Sequence, residues 1–206
     1  MIACLRLFSA LCLAALLAAC ASSPSSSLGE LPRTPDASIE QLLDQAATAK
    51  TPDQAALLRL SAADLANRQN NPGRAAQILA QVQVDLLKPG QQVFAVTLDA
   101  ELAMGRNQPK AALTALNHPS LQRLGELSVE QQVRTQTVRA RALEADGQIL
   151  PAIRERVFVG PLLQGAELAA NNDAIWTMVA ALPPEQLQST TTDDMGGWLD
   201  LARTIK

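Results

Sequence analysis

Three cysteines and one histidine are the only thiols and the only imidazole in this chain of 206 residues. Cys4 and Cys12 fall inside an apolar amino-terminal run, and Cys20 comes directly after Leu17-Ala18-Ala19. If that run is removed and Cys20 is modified, no thiol remains for a disulfide, a thiolate nucleophile or a cysteine metal site. His118, in ALNHPSL, stands alone, which excludes zinc sites needing two or more imidazoles; before Pro119 it reads as a turn residue. Carboxylates pair only at Asp193-Asp194 and are otherwise scattered at positions such as Glu40, Asp64, Asp99, Glu101 and Glu144. A glycosidase would need one carboxyl raised in pKa by an apolar pocket and a second across the sugar bond, whereas these residues read as solvated helix positions or caps. No G-x-S-x-G, Walker loop, G-x-G-x-x-G, H-E-x-x-H or calcium loop occurs. Arg139-Ala140-Arg141 and Arg154-Glu155-Arg156 have the charge to hold an anion, but helices commonly carry such residues on wet faces beside acidic neighbours. The expectation is a non-enzymatic protein without metal, cofactor or small-molecule substrate.

Composition points the same way. The net charge is −3, and Arg6 lies in the leader, so the chain beyond Cys20 is slightly more acidic still. No basic block marks a nucleic-acid footprint. Aromatic residues make up 2% of the chain, with no tyrosine, which leaves little on which to stack bases or sugars.

The run from Leu7 to Ala19 is broken only by Ser9. It is too short to span a bilayer, which takes about 20 apolar residues to cross roughly 30 Å of hydrocarbon. A basic start, a short apolar centre and small residues at a boundary describe a secretory signal over residues 1–19. LAAC resembles the bacterial lipobox, in which the cysteine sulfur is lipidated, the preceding segment is removed and the new amino terminus is acylated. Cys20 is therefore the expected lipid attachment site, and Ala21-Ser22 after it, with no aspartate, points to the outer membrane. ASSPSSSLGELPRTP then reads as a flexible tether over 20–35, because small polar residues and prolines bury too little apolar surface to offset chain entropy.

Residues 36–206 must supply everything else, and they read as helix almost throughout. Thr51, Pro52 and Gln54 have the spacing of a capping box with proline at the first helical position. The stripe Ala55, Leu58, Ala62, Leu65 and Ala66 comes next, and NNPG ends it. A second long helix carries Val93, Val96, Ala100 and Met104, and stops at Gly105 as an expected left-handed residue; KAALTAL comes after the turn. A third opens with Ser128 and Gln131 and runs to Gly147, with ILPAIRERV as its partner. Leu65, Leu102 and Leu143 align at offsets of 37 and 41 residues, which places Ala75, Ala111 and Ala152 at matching points after each turn. Long helix, tight turn and short helix at a period of about 34–40 residues is the pattern of tetratricopeptide-like pairs. The predicted fold is an all-α, tetratricopeptide-like helical-hairpin solenoid. Beyond Gly160 the pattern changes: Asn171-Asn172 read as caps of a helix ended by Pro183-Pro184. Gly196-Gly197 then forms a joint before a last helix with nothing to cover Trp198, Leu199 and Leu201.

RVFVGPLLQGAELAANNDAIWTMVAALPPEQLQ, with GWLDLA after it, resembles the penicillin-binding protein activator lipoproteins of Gram-negative bacteria, the LppC/LpoA type. The lipobox, the helical repeats, Trp176 with Leu182-Pro183, and Trp198 carry the resemblance. It implies a lipoprotein of the outer membrane facing the periplasm that activates a class A penicillin-binding protein in peptidoglycan synthesis, with Trp176 and Trp198 as candidate partner contacts. It also implies a second, periplasmic-binding-protein-like domain, and this sequence stops where that domain is expected to begin. Two other readings remain: a tetratricopeptide-type lipoprotein scaffold of an envelope assembly machine, gripping peptides in a groove, and the accessory helical region of a peptidoglycan hydrolase.

Overall fold

The computed structural model describes residue 31, residues 37–190, residue 195 and residues 197–205. The expected leader over residues 1–19, most of the expected tether with Cys20, and Asp193-Asp194 lie outside the described residues. Among those described, every regular element is helical: α1 (Ile39–Ala47), α2 (Pro52–Arg68), α3 (Pro72–Leu79), α4 (Pro89–Gly105), α5 (Pro109–Ala115), α6 (Val129–Ala145), α7 (Ile149–Val159), α8 (Gly165–Ala181), α9 (Pro184–Ser189) and α10 (Trp198–Ile205). Short 3₁₀ segments lie at Val84–Leu86, Pro119–Glu126 and Gly160–Leu162. None of these helices is long and apolar enough to cross a membrane.

Prolines sit in the first turns of α2, α3, α4 and α5, where the missing N–H would have had no helical partner and the fixed φ already suits a helix. Three antiparallel hairpins result: α2 with α3, α4 with α5, and α6 with α7. Their turns share one geometry. Asn70, Asn107 and Gly147 adopt the left-handed conformation at φ 58°, 57° and 79°. The next amide in each case donates back across the turn: Asn71 to the Ala66 carbonyl (2.9 Å), Gln108 to Ala103 (3.0 Å) and Gln148 to Leu143 (2.8 Å). These bonds satisfy carbonyls that the helix end would leave orphaned. The turn residues are spaced 37 and then 40 apart.

At those same offsets Ala63, Ala100 and Ala140 on the long helices, and Ala75, Ala112 and Ala152 on the short ones, are all completely buried. Ala63 and Ala75 share one apolar cluster, and Ala100 and Ala112 share another. Small side chains at such positions let helices approach closely, since interaxial distance depends on the side chains at the contact. A second recurring device joins the second and third hairpins to the loops before them. Gln92 Nε2 donates to the Leu87 carbonyl at 3.0 Å, and Gln132 Nε2 to Leu127 at 2.9 Å.

The helices stand where the sequence pattern put them, with local corrections. Gly105 is the last helical residue of α4, and the left-handed position is Asn107. The third repeat is offset by 40, not 41, so Ala142 rather than Leu143 matches Leu102, and buried Ala112 rather than exposed Ala111 matches Ala75 and Ala152. Leu102 is buried, while Leu65 and Leu143 are half-buried at the edges of their clusters. Thr51 flanks α2 without capping it. Its hydroxyl bonds instead to Asp53, which with backbone amides of Asp53 and Gln54 holds that carboxyl below its usual pKa. Asn171 and Asn172 lie inside α8, and Asn171 is buried, donating through Nδ2 to the Arg156 carbonyl at 3.0 Å.

The carboxy-terminal helices close over a different core. Ile175, Met178, Leu187, Met195 and Leu199 form one buried cluster with Ala152 and Ile153 of α7. Leu199 is fully covered, against the expectation that α10 lies bare, while Leu201 and Ile205 on its other face are exposed. Arg203 of α10 clamps the end of α9: its guanidinium donates to the carbonyls of Leu187 and Thr190 and pairs with Asp200.

Candidate functional site

Several of the side chains singled out as chemically able hold helices together. Glu101 on α4 accepts a two-pronged bond from Arg134 on α6, at 2.7 and 2.6 Å, and the Arg134 guanidinium lies 4.6 Å from the centre of the Phe94 ring. Burial pulls the Arg134 pKa down, but the bonds and charge of Glu101 outweigh it and hold the group above its ordinary value. This fork-shaped pairing is the strong, directional form of an ion pair. One turn below, the buried Thr97 and Thr135 hydroxyls bond at 2.9 Å, so two polar links fix α4 against α6.

Two further carboxylates serve similar ends. Glu144 meets Arg156 at 3.0 Å and Glu155 meets Arg139 at 3.6 Å, while Arg139 also donates to the Leu116 carbonyl that ends α5. Asp64 pairs with Arg68 one helical turn away, and Glu40, Asp99 and Arg141 are exposed. Among the described residues, no three His, Cys, Asp or Glu side chains gather to hold a metal ion. His118 ends the loop after α5, where its Nδ1 accepts from the Ser120 amide at 3.2 Å and organises the first turn of the 3₁₀ segment.

What these elements leave open is concave surface. A groove of about 690 Å³ runs between α3, α4 and α5, with Leu79, Val84 and Val96 on its walls and Asp99, Arg106 and His118 at its polar margin. A second hollow of about 360 Å³ lies between the Pro119–Glu126 segment, α6 and α7, with Gln136, Arg139 and Phe158 among its lining. Neither was legible from the sequence, because each is assembled from residues on three elements and carries no motif. Apolar walls with a few polar groups suit recognition of another molecule.

Trp176 on α8 and Trp198 at the start of α10 are half-buried against the same carboxy-terminal cluster. The structure brings these two together on one core and leaves part of each ring at the surface. Cys20 lies outside the described residues.

The molecule is thus an all-helical domain of successive hairpins, several of whose ionisable residues join helices. The chain matches the model of the LppC putative lipoprotein family over residues 32–206 and belongs to that family. A protein of Dickeya chrysanthemi named penicillin-binding protein activator LpoA is 34% identical over 108 residues, which cover 50% of this chain and 15% of that protein. Among solved structures, the amino-terminal domain of E. coli LpoA superposes with a TM-score of 0.59 at 23% identity, covering 88% of this chain and 81% of that one. Full-length LpoA of Haemophilus influenzae gives 0.54 at 20% identity, covering 84% of this chain and 32% of that one. At such identities the likeness shows the fold: this chain has the fold of the LpoA amino-terminal domain, and it spans a minor part of the length of the full relatives it matches.

Proposed function

We propose that this chain is the helical domain of a lipid-anchored, non-enzymatic activator that acts on a class A penicillin-binding protein in peptidoglycan synthesis. The observation that carries the proposal is membership of the lipoprotein family together with the likeness to a protein named as such an activator. Residues 1–19 then act as the leader, Cys20 takes the lipid, residues 20–35 form the tether, and residues 36–206 stand in the periplasm on the inner face of the outer membrane. Several acyl chains on one terminus give stable anchoring where a single chain gives only marginal binding. Cys20→Ala should abolish lipid labelling and release the protein from the membrane or leave an unprocessed precursor; unchanged membrane association with normal processing would refute the anchor.

Activation is a difference in binding free energy between two states of the synthase, so it needs a surface that tells those states apart. In this reading the hairpins act as a spacer and docking platform, with the exposed edges of Trp176 and Trp198 as contacts. The test is lipid II consumption by a class A synthase with and without purified residues 28–206 at saturating concentration. The expected result is no synthase or hydrolase activity from the domain itself and weak or absent stimulation, with strong stimulation by a full-length relative. Full stimulation by the domain would move the discriminating surface onto the hairpins. The groove beside α3 and α4 favours a second reading, a scaffold that grips a peptide, in which the domain captures a partner without altering any synthase.

A further inference from the structure

Asp99 and Arg106 are exposed and both line the groove of about 690 Å³ between α3, α4 and α5. Other charges on the long helices are paired, Asp64 with Arg68 and Glu101 with Arg134, but among the described residues neither Asp99 nor Arg106 enters an ion pair. Arg106 is positioned without being neutralised, because its Nε donates to the uncharged Gln108 Oε1 at 3.2 Å. His118, the third polar group at the margin, is engaged through Nδ1 with Ser120. Two opposite charges therefore face the groove uncompensated. They stand seven positions apart, on α4 and at its C-cap, which is about 10.5 Å or two helical turns. The rest of the groove is apolar and narrow-walled. α3 and α5 both pack on α4 and leave a slot between them, bordered by Ala76, by the α3 C-cap Ala80 and by Ala115 of α5. Such short side chains admit another helix closely, since interaxial distance is set by the side chains at the contact. Every regular element among the described residues is helical, so no sheet edge is offered to an extended segment.

We infer that this groove docks an amphipathic helix of a partner protein, one that carries residues of opposite charge seven positions apart with apolar residues three and four positions after the first. On a helix those four positions share one face, and the two charges again stand about 10.5 Å apart. A helix laid along α4 thus meets Asp99 with its cation and Arg106 with its carboxylate, while the apolar pair between them falls against the alanine walls. The pattern reads the same in either chain direction, so the groove selects spacing and sign. Charge complementarity of this kind sets register and partner choice more than raw affinity. The inference rests on the reading of the domain as a scaffold that grips a partner segment, and it names the form of that segment.

The test titrates the ¹⁵N-labelled protein with a helix-forming alanine–glutamine peptide of about 15 residues that carries lysine, two leucines and glutamate in this spacing. The amide signals of Ala80, Val84 and Thr114, all in the groove, should shift saturably with a dissociation constant on the order of 1 mM. A peptide with glutamate at both charged positions should bind about fivefold more weakly, as should the mixed peptide broken by a central proline. Asp99→Lys, at an exposed position, should reverse the charge preference, so that the two-glutamate peptide binds about fivefold more tightly than the mixed one. Equal binding of the mixed and two-glutamate peptides by the parent, or an unreversed order in Asp99→Lys, would overturn the proposal. Undiminished groove shifts with the proline-broken peptide would overturn the helix while leaving the scaffold reading in place. Groove amides unmoved by every peptide at about 5 mM would overturn both.

Discussion

The hairpins α2–α7 and the closing helices α8–α10 solve the same packing problem in different ways. In the hairpins the same turn recurs three times and the crossings are lined by alanine, at Ala63, Ala100 and Ala140 and at Ala75, Ala112 and Ala152. Little side-chain surface is buried at each such position, and what helix approach leaves unfixed is pinned by polar links such as Arg134–Glu101 and Thr97–Thr135. The closing helices have no such turn. They bury large side chains, Ile175, Met178, Leu187 and Leu199, around one centre, and an arginine clamp ties α10 to α9. The hairpins therefore add close alanine crossings to a core that also buries large side chains such as Leu60, Ile78 and Leu98, whereas the closing helices rely on large side chains around a single centre.

The sharpest way to break this contrast is to hollow the closing core. Leu199→Ala and Ile175→Ala should each cost about 2–5 kcal/mol in urea denaturation, the usual range for emptying a buried aliphatic site. Amide exchange should accelerate in α8–α10 while α2–α5 keep their protection, because packing runs between neighbours along the chain. Equal loss of protection throughout would show the two regions to be one cooperative unit.

Enlarging the small residues probes the other side. Ala112→Leu should destabilise by about 1–3 kcal/mol through overpacking, whereas Ala111→Leu, one residue away and exposed, should stay within about 0.5 kcal/mol. This pair also shows why register was hard to see in the sequence. When both faces of KAALTAL offer alanine, the apolar stripe has almost no contrast, and a shift of one residue leaves the pattern looking equally good. Helix positions and turns were legible because proline, asparagine and glycine act locally. The pairing of Glu101 with Arg134, the burial of Asn171 against α7 and the hollow around Gln136 depend on partners distant in sequence, and nothing local announces them.

Two glycines separate the turn from the helix. Gly147 sits at φ 79°, so Gly147→Ala should cost about 1–2 kcal/mol although open space surrounds it. Gly105 is helical with equally open surroundings, and Gly105→Ala should stabilise by about 0.4–1 kcal/mol by reducing the freedom of the unfolded chain. Thermal denaturation of both variants decides the point, and destabilisation by both would contradict the placement of the left-handed residue at Asn107 in the second turn.

The smallest effect is electrostatic, at the entry to the first hairpin. The Asp53 carboxyl is held below its usual pKa, so its contribution is present above the unfolded value of 3.8 and is lost as pH falls through the lower folded value. Asp53→Asn should therefore lower stability slightly at neutral pH, with the difference from the parent fading in acid. A difference that grew on acidification would reverse the assigned shift.

Packing between successive hairpins has a mechanical consequence. A pull applied between Ile39 and Leu182 is carried through the helix seams in series, so the weakest seam alone sets the force at which the molecule first gives. Extension should then proceed in steps, a pair of helices released at each, with the remaining pairs still folded and able to recoil when the tension drops.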